Sequence, residues 1–66
     1  MRTYDVHFND EKTSNSKGFR MTFENAKDYI ASTNGTASSY FADYKGGEVS
    51  IVCNETGETV HEEEVM

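Results

Sequence analysis

Apolar and polar residues alternate at the start of the chain, where Tyr4, Val6 and Phe8 are separated by Asp5 and His7, the period-two pattern of a strand with one buried face. The segment Asn9 to Lys17 has no apolar residue and is rich in turn formers, so residues 9–17 read as a mobile surface loop. Gly18, Phe19, Arg20 and Met21 then give a short second strand, paired with the first across that loose connection. From Phe23 the spacing changes to a helical one. Phe23, Ala26 and Ile30 share a face over residues 23–32, Thr22 is placed as N-cap, and Glu24 sits in the first turn against the macrodipole. Gly35, after Asn34, suits the left-handed position that ends a helix. So narrow an apolar stripe makes this helix depend on docking against a sheet.

Alternation returns at Ser38 to Tyr44, with Tyr40, Ala42 and Tyr44 opposite Phe41 and Asp43, which reads as a third strand ended by Lys45, Gly46 and Gly47. Residues 48–53 and 58–62 are two β-type runs around Asn54 to Gly57, a hairpin closed by a type I turn and a glycine bulge. In that register Val52 faces Val60, Ile51 faces His61 and Glu48 faces Glu64. Two glutamates directly opposite each other are unfavourable, so pairing is expected to fray after Glu62 and leave 63–66 as a solvated acidic end. The order β-β-α-β-β-β gives an α+β domain: a small antiparallel sheet with one helix packed on a face. Residues 1–66 form a single small domain, since a chain of this length has room for only one core.

Composition changes the picture in two ways. Leucine is absent, and Ile, Val and Phe together number eleven of 66, a share at which a charged chain begins to look disordered. Four Tyr and four Phe in strand or helix register argue the other way and predict a folded domain with an aromatic core. Charge is segregated. Residues 1–42 carry five cations and five acids, whereas residues 43–66 carry seven acids and only Lys45, so the whole net charge of −6 lies in the last third. A phosphate-binding or anionic-membrane surface needs clustered Lys or Arg, which disfavours direct nucleic-acid and membrane partners. No apolar run is long enough to cross a bilayer, and the start of the chain lacks the apolar stretch of a signal peptide. The single Cys agrees with a reducing compartment, so a cytoplasmic location is expected and the Asn34 and Asn54 glycosylation patterns are taken as chance.

Candidate chemistry is sparse. Cys53 and His61 fall diagonally on one face of the hairpin, but two ligands do not make a zinc site, and no third group completes a Cys/His nucleophile. Asp5 and His7 lie on the polar side of the first strand and read as solvated. Gly46 and Gly47 lack the spacing of a phosphate loop. Tyr40, Phe41 and Tyr44 could stack bases only beside cations, which this segment does not have. No catalytic residue, cofactor or metal is assigned, and an enzyme is not expected. Glu62, Glu63 and Glu64, with Glu48, Glu55 and Glu58, are the most suggestive feature. They read as a solubilising face or, more sharply, as carboxylates that imitate a row of phosphates before a DNA-binding protein.

Taken as whole patterns, Tyr4 to Glu11, Ser16 to Phe19, Gly46 to Val52 and Glu55 to Val60 resemble small uncharacterised proteins encoded on conjugative transposons and prophages of clostridia and related gut bacteria. The resemblance spans nearly the whole chain and implies a bacterial cytoplasm, a mobile element and an accessory role. It brings no catalytic or binding residues with it. The expectation is therefore a non-enzymatic accessory module that binds a protein, a second copy of itself included, with Tyr40, Tyr44, Glu58, Glu62, Glu63 and Glu64 as contacts. The alternative is an acidic DNA-mimic inhibitor of a DNA-binding host protein.

Overall fold

The computed structural model describes residues 1–66, the side chain of Ser39 excepted. Its elements are β1 (Tyr4–Asn9), β2 (Ser14–Ser16), α1 (Phe23–Thr33), α2 (Ser39–Asp43), β3 (Glu48–Cys53) and β4 (Thr59–Glu64). The strands form one sheet in the order β2-β1-β3-β4, and every neighbouring pair is antiparallel. This is the α+β arrangement the pattern predicts, with α1 packed against β1 and β3. Three parts of the chain differ from the expectation.

The first is the polar segment 9–17, which is a hairpin and not a structureless loop. The Asp10 carboxylate accepts the amides of Lys12 and Thr13, both at 2.8 Å, while the Asp10 amide donates to the Thr13 carbonyl. This turn lays Ser14–Ser16 against His7–Asn9. A polar segment forms a strand here because β2 lies at the sheet edge, where it needs ladder bonds more than a buried face. The strand expected at 18–21 is reduced to one bridge, Tyr4 with Met21. Gly18, at φ +73°, turns the chain away from β1 in between.

The second correction is α2, which replaces the strand expected at 38–44. Tyr40, Ala42 and Tyr44 fit a period of two, but Tyr40 and Tyr44 also fit a helical turn, and the Tyr44 amide donates to the Tyr40 carbonyl at 2.9 Å. Phe41 and Tyr44, three apart, are the two that are buried, so the period of three to four wins. Their rings meet Phe8 from above. Phe8 and Phe41 lie edge to face at 4.8 Å, and Phe8 and Tyr44 are 5.9 Å apart.

The third is the C-terminal end, which is paired and not frayed. Glu48 is opposite Glu64, Val65 is buried, the Val65 amide donates to Gly47 and the Gly46 amide donates to Val65. Asn34, the C-cap of α1, holds the same end: its side-chain amide donates to the Glu64 carbonyl at 2.9 Å and its oxygen accepts the Met66 amide at 2.8 Å. Burial of Val65 and these main-chain bonds outweigh the glutamate repulsion, since a cross-strand pair contributes only about 0.2–1 kcal/mol and each hydrogen bond contributes about 1 kcal/mol. The hairpin register agrees with the sequence from Glu48 to Ile51 and shifts between Ile51 and Val52, where Val60 bulges and Val52 faces Thr59.

The core is the layer between sheet and helices: Val6, Phe8, Val49, Ile51 and Cys53 from the strands, Ala26 and Ile30 from α1, and Phe41 from α2. Phe23, the third residue of the α1 stripe, is half-buried against Tyr4 at 5.7 Å. Thr22 caps α1 through the Asn25 amide, as its position predicts.

Candidate functional site

Side chains alternate across a sheet, so placing Val6, Phe8, Val49 and Ile51 under the helices puts Asp5, His7 and Asn9 on the opposite face. The pairings extend that face in rows across the strands: Asn9, Glu48 and Glu64, then His7, Ser50 and Glu62. Both helices lie on the other side. Glu48 and Glu64 are directly opposed, and Glu62 stands two residues from Glu64, roughly 6.6 Å along the strand. All three carboxylates are exposed. Among the described residues the ion pairs are His7 with Asp5 and His61 with Glu63, and neither involves Glu48, Glu62 or Glu64.

Alternation separates the six glutamates of the hairpin. Glu63 belongs to the helix face, where it meets His61 Nε2 at 2.7 Å and the Asn34 side-chain amide at 3.3 Å. Glu55 is taken by the N-terminal segment: the Thr3 amide donates to it at 2.8 Å and holds its carboxyl below the ordinary glutamate range. Glu58 is exposed beside the turn. Glu62 and Glu64 are thus the expected contact residues that share the uncovered face, joined by Glu48.

The aromatic contacts divide in the same way. Tyr44 is buried, and its hydroxyl is bound by Thr13 at 2.9 Å and Asn15 at 2.6 Å, so it is a core residue with a satisfied polar tip and offers nothing to a partner. Tyr40 is half-buried at the rim, with the Lys17 ammonium 5.0 Å from its ring centre. Sequence reasoning gave Tyr44 as a contact because a strand would have turned it outward.

The uncovered face sets Asp5 and His7 beside Ser50 and Ser16, with His7 Nε2 3.3 Å from the carboxylate. No hydrogen bond joins His7 to either hydroxyl among the described residues, and the Val6 and Phe19 amides beside it are taken by the Asp5 carboxylate. Cys53 is buried. The Thr56 hydroxyl holds its thiol below the ordinary range, and Sγ lies 3.7 Å from Glu55, while His61 turns to Glu63. No cluster of three His, Cys, Asp or Glu suited to a metal occurs among the described residues. An open cleft of about 520 Å³ lies between the β1–β2 turn and residues 45–48. Its Lys12 and Lys45 are offset by Asp10, Glu11 and Glu48, and the amides of Lys12, Gly46 and Gly47 are already bound, so these three do not cradle an anion. Gly47 is needed there because a Cβ would stand 2.6 Å from the Asn9 carbonyl oxygen. No helix is long and apolar enough to cross a membrane among the described residues.

Set beside known protein families, curated proteins and solved structures, the chain matches none of them.

Proposed function

We propose that the chain is a non-enzymatic protein-binding module, an accessory protein of a mobile element, and that it binds a basic partner through the uncovered face bearing Glu48, Glu62 and Glu64. The observation that carries this reading is the Glu48–Glu64 pair. Like charges directly opposed in a sheet oppose folding. A cationic partner relieves that repulsion on binding, so the face is complementary to Lys and Arg before contact is made. The resemblance of the whole pattern to mobile-element proteins supplies the setting. The DNA-mimic alternative needs a continuous row of carboxylates, and the division of the hairpin glutamates between two faces leaves three where six were expected.

The test is calorimetric titration with a synthetic peptide carrying Lys at alternate positions, at about 30 and about 300 mM salt. Binding should weaken at least ~10-fold at the higher salt and be lost when Glu48, Glu62 and Glu64 are all changed to Gln. A control with Glu11, Glu24 and Glu58 changed to Gln alters the net charge equally and should bind like the native chain. Equal loss in both variants would reduce the effect to overall charge and overturn the reading.

A further inference from the structure

The two edges of the sheet carry opposite charge. Between Lys12 and Met21, the segment that forms the β2 edge, there are three cations and no acid, whereas between Glu58 and Glu64, along β4, there are four acids and no Lys or Arg. The strand directions add a second relation. β1 and β4 are both antiparallel to β3, and β2 is antiparallel to β1, so the outermost strands run in opposite directions. A second copy placed beside the first in the same orientation therefore brings β4 of one against β2 of the next as an antiparallel pair, with the helices of both copies on the same side.

We infer that one basic partner of the acidic surface is a second copy of this chain, docked head to tail by its 12–21 edge against β4; this rests on the reading proposed above. Pairing like edges sets Glu against Glu or cation against cation, which is the usual protection of an edge strand. Pairing unlike edges sets Lys12 of one copy near the Glu64 end of β4 in the other and Arg20 near its Glu58 end. Apolar surface is present on both sides: Val60 is 40% exposed on β4, and Phe19 and Met21 are half-buried at the opposite edge. The Val60 bulge and the Asn34 bond to the Glu64 carbonyl shorten the available ladder, so the contact is weak and concentration-dependent. An unlike-edge contact leaves one edge of each kind open, and association continues beyond the dimer.

Sedimentation velocity over a ~100-fold concentration range tests this, at about 30 and about 300 mM salt. The native chain should sediment faster as concentration rises at low salt and lose that dependence at high salt. A variant with Lys12→Glu and Arg20→Glu, and another with Glu62→Lys and Glu64→Lys, should each stay monomeric. Circular dichroism checks that both are folded. Mixed, the two should associate again as concentration rises at low salt, because the native β4 edge of the first meets the native β2 edge of the second and the two reversed edges are themselves of opposite sign. A native chain that stays monomeric at low salt, or a mixture that does, overturns the inference. Should the lysine peptide still bind Glu48, Glu62 and Glu64 in that case, the self-association falls and the basic-partner reading stands; if neither binds, both fall.

Discussion

The amide of Phe19 donates to the carboxylate of Asp5 at 2.8 Å, where a strand neighbour would have offered a main-chain carbonyl. On one side of this bond the Lys17 amide reaches the Val6 carbonyl, and on the other Tyr4 and Met21 exchange two bonds. Asp5 therefore spans the gap that opens when Gly18 turns the chain away from β1, and it is buried although it lies on the polar face. The Val6 amide donates to the same oxygen at 2.7 Å. Asp5→Ala removes an acceptor from both amides and should destabilise the chain by about 1–3 kcal/mol. Urea denaturation measures the loss, and hydrogen exchange should show the Phe19 amide opening first. Asp5→Asn keeps one acceptor oxygen and should lose less; equal losses would show that the carboxylate is not bridging the gap.

Asn34 performs the corresponding task at the other edge. Its side chain joins the end of α1 to the Glu64 carbonyl, the Met66 amide and the Glu63 carboxylate. Asn34→Ala should cost about 1–3 kcal/mol, since it leaves these groups without their partner. The loss should be local. Amide exchange should accelerate at Val65 and Met66 while that of Val6 and Ile51 falls only with global stability.

These two side chains show where the sequence could and could not be read. The core alternation of β1 and β3, the Thr22 cap, the α1 stripe and the upper half of the hairpin register were all legible, because each follows from local periodicity or capping chemistry. β2 was not, since Ser14–Ser16 has no apolar period and is set by the Asp10 turn and its place at an edge. In α2, a five-residue run fits both periods, and only the position of Phe8 beneath Phe41 decides between them. The C-terminal pairing depends on Asn34, thirty positions from Glu64, and no local pattern announces such a contact. The acidic face was half legible: the Glu48–Glu64 register could be counted, and with it the alternation that turns Glu63 to the helix side, but the bonds that hold Glu63 there, from His61 and Asn34, required the fold.

Acid should destabilise the chain through two carboxyls that the fold holds in their charged form. Asp10 lies below its ordinary 3.8 because the Thr13 and Lys12 amides donate to it, and Glu55 lies below its ordinary 4.5 because the Thr3 amide does. A carboxyl whose value is lowered by folding contributes stability that is complete above its ordinary value and is lost as pH falls through the lower folded one. From these two groups, stability should change little between about pH 7 and 5 and decline below about pH 4.5. Glu55→Gln should flatten that decline in chemical denaturation at successive pH values. A variant with an unchanged acid limb would show that the Thr3 contact does not form in solution.

The face proposed for binding predicts opposite effects of one substitution on folding and recognition. Glu48 opposes Glu64 across the ladder with no cation between them, so Glu48→Gln should remove repulsion and stabilise the free chain by about 0.2–1 kcal/mol. Removing the same charge weakens attraction to a basic partner, and affinity for the lysine peptide should fall at low salt. Glu58→Gln, also exposed but beside the turn, should give neither effect to the same degree. Denaturation midpoints and titration of the two variants measure both effects in one series. A stabilised Glu48 variant that binds as well as the native chain would mean that the repulsion serves only the solubility of the sheet face. A variant that is both less stable and less able to bind would mean that Glu48 is held by contacts outside this face, and the opposed pair would no longer support a docking surface.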